Sequence, residues 1–304
     1  MNSTTCPSLR GELRLNEPLA KYTTWHAGGV ASRFFKPVDL DDLSVFLATV
    51  PEDEPLVWLG LGSNVLIRDG GVPGTVIHTL GTLGKIQISS ENMIRAEAGV
   101  TCAKIAKFCV KEAFAKGAFF AGIPGTVGGA LAMNAGAFGE ETWNYVVKVE
   151  TINRKGHIRH RFSEEFTVGY REVIRPSEEW FVAGHFKFPQ GNAEETQKNI
   201  KALLKKRNET QPIGEFSCGS VFRNPPGDYA ARLIESCGLK GKRIGGAVVS
   251  PKHANFIINS DNATAQDIEQ LIELVQRTVQ AKTNVVLIQE CHFIGEFLRN
   301  TNNP

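Results

Sequence analysis

Two stretches of this sequence, Gly60-Leu61-Gly62-Ser63-Asn64 and Gly122-Ile123-Pro124-Gly125-Thr126-Val127-Gly128-Gly129, could bring many backbone N–H groups to one point. A phosphate or pyrophosphate needs such a concave array, and glycine lets the backbone come close to it. Neither stretch is a P-loop, because no Gly precedes a Lys-Ser/Thr pair at the required spacing. Neither is a dinucleotide fingerprint of the Rossmann kind. Gly60-x-Gly62 follows a strand-like run, but it lacks the third Gly and a long helix after it. The glycines therefore allow a nucleotide held on some other scaffold, and equally allow tight turns in a β-rich core.

A carboxylate is the next candidate. Val285–Phe293 reads as a closing strand, and Val286, Ile288, Glu290, His292 and Ile294 share one face by the two-residue period. A carboxyl on an otherwise apolar face is costly unless it is paired or used. Burial would favour its neutral form. A structural ion pair is the plain alternative. The six cysteines, at 6, 102, 109, 218, 237 and 291, form no C-x-x-C pair, and no His stands at zinc-ligand spacing from one. They read as reduced, buried thiols, with no metal site expected. Cys218 has no His placed beside it by sequence, and no Gly-x-Ser-x-Gly elbow is present, so nucleophilic catalysis is not indicated.

These groups must be positioned by elements that the pattern also shows. A helix is predicted near Leu40–Thr49, with Asp39 as its cap and Asp42 three residues on. Leu56–Leu59 and Val65–Ile67 read as short strands on either side of the first glycine turn. Thr101–Lys116 has helical spacing of Ile105, Phe108, Cys109 and Glu112. Val146–Ile152 and Trp180–Phe188 are β-like. Glu194–Arg207 reads as a polar linker helix, whose lysines form a solvated face. A helix from about Tyr229 to Cys237 stops at Gly238. Another, Ala265–Lys282, is capped by Thr264 with Asp267 and carries the stripe Ile268, Leu271, Ile272, Val275 and Val279.

The bulk numbers exclude some partners. The chain has 304 residues, 42% apolar and 22% charged, which is an ordinary globular mix. A net charge of +2 gives no field to draw nucleic acid or a membrane surface, so any anion must be met by local Arg and Lys. Gly117–Gly139 lacks charge, but glycines and Pro124 interrupt it too often for a membrane span, and it reads as a buried loop system. No export signal is visible in Met1–Arg10, and a cytoplasmic protein is expected.

Several longer strings carry a resemblance. They are Gly60 to Leu66, Gly122 to Gly129, Gly169-Tyr170-Arg171, Gly219-Ser220-Val221-Phe222-Arg223-Asn224-Pro225 and Gly238-Leu239-Lys240-Gly241. After these come Ile244-Gly245-Gly246, Lys252-His253-Ala254-Asn255-Phe256-Ile257 and Glu290-x-x-Phe293-Ile294-Gly295. In this order, from about Thr23 to Gly295, they closely resemble the UDP-N-acetylenolpyruvoylglucosamine reductases. One such motif would be weak evidence; the ordered set is specific.

The resemblance implies an α+β fold: a two-part FAD-binding unit of the vanillyl-alcohol-oxidase type, residues 1–75 and 76–190, and an α/β substrate-binding domain, 191–304. The last strand would return to the active site. Non-covalent FAD would lie on Gly60, Gly62, Ser63, Asn64, Gly122, Pro124, Gly125, Thr126, Gly128 and Gly129, with Asn134 and Ala135 near the flavin. NADPH would donate hydride, and UDP-N-acetylglucosamine enolpyruvate would receive it, a step of peptidoglycan precursor synthesis. Arg171 would face the substrate carboxylate, Ser220 would donate the proton, and Glu290 would support the enolate. Tyr170, Asn224 and Tyr229 are candidates for the substrate, although Tyr229 could equally be a core residue. No nucleic acid, membrane or obligate protein partner is implied.

The chain departs from the family pattern at Cys291-His292, where Arg is frequent two residues after the Glu. It also lacks an inserted Tyr-bearing loop after Phe188, which places it in a shorter subgroup. A different flavoenzyme on the same fold, or a nucleotide-sugar binder without catalysis, would need neither Gly219–Pro225 nor the joint presence of Arg171, Ser220 and Glu290. Covalent flavin needs a loop His or Cys, and Gly122–Gly136 has neither. Denaturing the purified protein is therefore expected to release all of its flavin; absorbance that stays with the polypeptide would contradict this.

Overall fold

The computed structural model describes residues 9–298, so Cys6 lies outside the described residues. Those residues gather into two compact units. The first takes the chain up to Arg14, Arg33–Gly60 and Gly74–Leu203; the second takes Leu15–Ser32, Leu61–Pro73 and the chain from Leu204 on.

The first unit is built on a five-stranded sheet, in the order Ile158–Phe162, Val146–Asn153, Glu179–Lys187, Met93–Glu97, Ile86–Ser90. Its neighbours are all antiparallel. Helices α1 (Leu40–Leu47), α2 (Cys102–Lys111) and α3 (Val127–Met133) belong to the same unit. Asp39 caps α1 by accepting the Asp42 N–H at 2.9 Å, as its spacing predicts. Thr101 caps α2, but the helix stops at Lys111, short of the expected Lys116, because Ala113 and Lys116 take positive φ. One core cluster joins α2 and α3 to Phe114, Phe119, Phe120, Phe186 and Phe188. A second packs α1 through Leu43, Phe46 and Leu47 against Phe35, Ile77, Ile152 and Val182. A four-stranded sheet has the order Glu12–Pro18, Val30–Lys36, Val72–His78, Leu56–Leu59.

Gly122–Gly129 is not all loop. Its first residue closes a 3-10 helix, Gly117–Gly122, and its end opens α3, whose C-cap is Asn134 in the left-handed region. Two glycines oppose a helix on propensity alone, at about 1 kcal/mol each. Packing overrides this: Gly128 lies so near Ala98 that an added Cβ would stand 3.0 Å from the Ala98 Cβ.

After α4 (Ala193–Thr210), the second unit holds α5 (Ala230–Ser236), α6 (Ala265–Thr283) and a three-stranded sheet, Arg243–Ile244, Ala247–Val249, Ile257–Asn259. The capping box of α6 forms as read, and Asp69 adds both of its oxygens to the N–H groups of Ala265 and Gln266. The predicted stripe from Ile268 to Val279 is buried against Trp25, Leu66, Val221, Phe222, Leu233 and Ile257. The Trp25 indole donates to the Ile257 carbonyl at 2.8 Å.

The closing strand is a correction. Only His292–Ile294 is strand, parallel to Val65–Ile67, and Gln289 makes a single bridge to Phe222. The even-numbered face is not buried: Val286 and Ile288 are each 61% exposed, while Leu287 and Cys291 enter the core. Apolar residues stand on both faces of this segment, so a period of two could not choose between them.

The core position Leu271 is 0% exposed. Leu271→Ala should cost about 2–5 kcal/mol of unfolding free energy in urea titrations. Lys201→Ala, on the exposed face of α4, should stay within about 0.5 kcal/mol.

Candidate active site

In the first unit Gly60, where the first glycine stretch begins, packs against Thr126 of the second. A Cβ added to Gly60 would stand 2.2 Å from the Thr126 Oγ1, so only glycine fits. That hydroxyl is buried and has no hydrogen-bond partner. The expected cradle is narrower than glycine counting suggested. Gly125 N–H bonds to Ile123, Val127 N–H to Val100 and Gly128 N–H to Ala98, so these donors serve the fold. In the first stretch, by contrast, Leu61, Gly62 and Ser63 make no backbone N–H bond to another carbonyl among the described residues. Gly62 has φ +67, and its Cα faces the Tyr22 carbonyl too closely for a side chain. The orphaned hydroxyl in the first unit and, separately, the side-chain-free turn with available N–H groups in the second are each of the kind an anionic nucleotide such as the FAD pyrophosphate uses.

The same unit holds Asn134, Ala135, Tyr170 and Arg171. Asn134 is buried and spends its whole amide internally: Nδ2 donates to Glu141 at 2.8 Å and to the Gly169 carbonyl at 3.0 Å, and Oδ1 accepts the Trp143 N–H at 3.1 Å. It organises this region; sequence reasoning placed it beside a ligand. The carbonyls of Asn134 and Gly136 accept from the Arg171 guanidinium at 3.3 and 3.2 Å. Arg171 itself sits at φ +58, and its guanidinium lies 5.0 Å from the Tyr170 ring centre. Asn134, Glu141, Trp143, Gly169 and Tyr170 line a cleft of about 450 Å³.

In the second unit Ser220 and Glu290 come together through their main chains. Val221, next to Ser220, accepts the Glu290 N–H at 2.8 Å, and Arg223 N–H bonds to Ile288 at 2.9 Å. Asn64 donates to the Glu290 carbonyl at 3.2 Å and accepts the His292 N–H at 3.0 Å. Ser220 and Glu290 are both half-buried. Asn224 accepts the Ala230 N–H at 3.1 Å and so caps α5, leaving its amide N–H groups to donate. Tyr229 is 68% exposed, which removes the core alternative for it. Burial pushes the Cys218 thiol well above the usual thiol range, with Cys291 and Glu290 adding to the shift, so it is no thiolate nucleophile.

Glu150, His160 and His185 also bring ligand atoms within 4.8 Å of one another. Both Glu150 oxygens are held by Arg95, at 2.7 and 2.6 Å, and one of them by His185 at 2.8 Å. Burial alone would raise the Glu150 pKa; the hydrogen bonds from Arg95 and His185 overcome it and bring the carboxyl to about 2. The bonding is that of an ion-pair network, and the guanidinium stands where a cation would have to approach.

The model of the UDP-N-acetylenolpyruvoylglucosamine reductase C-terminal domain matches residues 211–294, and that of an FAD binding domain matches 31–161. The chain is 57% identical to the UDP-N-acetylenolpyruvoylglucosamine reductase of Coxiella burnetii (strain Dugway 5J108-111), over 94% of this chain and 97% of that one. The chain belongs to the UDP-N-acetylenolpyruvoylglucosamine reductase family. The Legionella pneumophila (strain Paris) reductase is also 57% identical, over 97% of this chain and 98% of its own length. The crystal structure of the Thermus caldophilus reductase superposes with a TM-score of 0.81 at 31% identity, covering 95% of this chain and all of that one. The expected fold class stands in its main lines: α+β, with an FAD binding domain ahead of the family's C-terminal domain.

Thr126 keeps a buried hydroxyl that no hydrogen bond among the described residues satisfies. Thr126→Val swaps that hydroxyl for a methyl of the same shape. The apoprotein should melt at the same temperature or higher, since an unsatisfied polar group is lost. FAD affinity, read by fluorescence titration, should fall about three- to tenfold, the worth of one neutral hydrogen bond. Unchanged affinity would place the pyrophosphate elsewhere.

Proposed function

We propose that Arg171, Ser220 and Glu290 carry the protein's share of the NADPH-dependent reduction of UDP-N-acetylglucosamine enolpyruvate to UDP-N-acetylmuramate, a step of peptidoglycan precursor synthesis. The observation that carries the reaction is identity of more than half over nearly the whole chain with reductases of that name. FAD, when bound, would supply the hydride-transfer chemistry that links NADPH to the enolpyruvyl group. Gly60, Gly62, Ser63, Asn64 and the second stretch around Thr126 would hold its pyrophosphate without a covalent link.

Hydride addition builds negative charge on the carbon that bears the substrate carboxylate. A fixed cation lowers the energy of that charge most when it needs no reorganisation. The carbonyls of Asn134 and Gly136 orient the Arg171 fork, and such a fork suits a carboxylate. Ser220 then gives a proton to the same carbon. A hydroxyl is a poor acid in water, so it needs a neighbour that stabilises the charge it meets. Glu290, whose N–H bonds to the Val221 carbonyl beside Ser220, would support the enolate by a hydrogen bond. The exposed ring of Tyr229 and the amide of Asn224 suit the uridine; Tyr170, beside Arg171, suits the enolpyruvyl end.

We read residues 1–75 and 76–190 as the two parts of the FAD-binding unit and 191–304 as the linker helix and substrate-binding domain. Among the described residues no helix is long and apolar enough to cross a membrane. We place the enzyme in the cytoplasm, where its nucleotide substrates are, acting without nucleic acid, metal or an obligate partner.

The two half-reactions separate these roles. Ser220→Ala should leave anaerobic flavin reduction by NADPH near the wild-type rate, because that step needs no proton on substrate carbon. Reoxidation by the enolpyruvyl nucleotide should slow by roughly 10²–10⁴-fold, the range for one general acid. Arg171→Ala and Glu290→Gln should show the same split, and Cys218→Ser should change neither half appreciably. Equal slowing of both halves by Ser220→Ala would make Ser220 a structural residue.

A further inference from the structure

Ser220 stands between two very different pieces of backbone. Before it, Gly219 has φ +82, and its position is open, with nothing within 4 Å of where a Cβ would be. After it, Val221 and Phe222 are almost fully buried. The fixed side must therefore define where the hydroxyl sits.

What fixes that side is one amide. Asn255, 4% exposed, accepts the Phe222 N–H through Oδ1 at 3.0 Å and donates from Nδ2 to the Phe222 carbonyl at 2.8 Å. Its own carbonyl accepts the Val221 N–H at 2.9 Å. The side chain thus plays the part of a neighbouring strand residue, satisfying both polar groups of a buried peptide that would otherwise be orphaned. Asn255 is itself anchored in a tight turn: Ser250 Oγ accepts the N–H groups of Lys252 and His253, and Ser250 N–H bonds to the Phe256 carbonyl at 2.8 Å. On the far side the segment pairs with Ile288 and Glu290.

We propose that Asn255 is the positioning residue of the proton-transfer step: it touches no substrate, and it sets the place of Ser220 by holding Val221 and Phe222. This rests on the reading of Ser220 as the proton donor. The chemistry needed is an amide of this length and shape. A shorter side chain loses both bonds, and an isosteric carboxyl keeps both only when protonated, with its O–H donating where Nδ2 did.

The test compares Asn255→Ala, Asn255→Asp and Ser220→Ala in both half-reactions across pH, each rate divided by that of wild type. Both Asn255 variants are expected to keep flavin reduction by NADPH within about threefold. Asn255→Ala should slow the enolpyruvyl half-reaction at least tenfold at every pH. Asn255→Asp should approach wild type at acid pH and lose the same step as pH rises and its carboxyl ionises. In the Ser220→Ala background, Asn255→Ala should add little, since both act on one event. Amide hydrogen exchange of Phe222 in the apoprotein should quicken in Asn255→Ala, a readout that needs no cofactor. Equal slowing of both half-reactions, or a full additional loss in the Ser220→Ala background, would overturn the proposal. If Asn255→Ala does not fold, the pH recovery of Asn255→Asp decides alone, and a flat ratio refutes it. If Ser220→Ala proves harmless while Phe222 exchange still quickens, the Ser220 reading has failed and Asn255 merely supports the fold.

Discussion

A three-residue parallel ladder, Val65–Ile67 with His292–Ile294, holds the second unit in one piece. Its strands lie more than 200 positions apart in sequence. Closing so long a loop costs conformational entropy before any contact repays it. Repayment comes from bonds at both ends of the ladder: His292 to Asn64, Arg68 to Ile294 and Gly70 to Glu296 on the main chain. Arg68 reinforces it with a partly buried ion pair to Glu269 at 2.8 Å and lies 4.1 Å from the ring centre of Phe297. Within the second unit this pairing brings the turn residues 61–64 and Glu290 onto one framework.

Three asparagines, two in the second unit and one in the first, do similar work. Asn64 bonds to the Glu290 carbonyl, Asn134 to Glu141, Gly169 and Trp143, and Asn255 to both polar groups of Phe222. An amide offers a donor and an acceptor in one plane, so it can complete a buried peptide where no strand is available. Two of the three stand among residues expected to touch FAD. In the apoprotein their side chains address the polypeptide, and this shapes the loops on which a nucleotide can rest. Arg171 follows the same logic, with its guanidinium braced by carbonyl oxygens whose positions depend on Asn134.

The thiols and the ion networks mark what the site is not. Cys102 and Cys109 are pushed up to about 12 by burial, and Cys218 is raised as well. These are small apolar groups in a core. The Arg95–Glu150–His185 network crosses adjacent strands and keeps its carboxylate ionised by direct hydrogen bonds. Charge in this network is neutralised locally, by direct hydrogen bonds between its members.

Much of this was legible in the sequence because its causes are local. Asp39 and Thr264 cap helices through residues three positions on, and α6 shows its buried face in a stripe of one period. Ordered motifs were enough to identify the family and its chemistry. Other features depend on partners that the local pattern does not contain. Whether the Gly128 N–H faces a ligand or Ala98 depends on how α3 packs. Which face of 285–294 is buried depends on α6, because both faces carry apolar residues. The motif Lys252–Ile257 marks the family but says nothing of what Asn255 bonds to, since its partner Phe222 lies 33 positions away. The sequence by itself determined the capped helices α1 and α6, the glycine turn at Gly62 and the family. Only the tertiary structure decided which donors remain available and which residues hold Ser220 and Glu290, because a buried peptide must find its hydrogen bonds wherever the fold brings a partner.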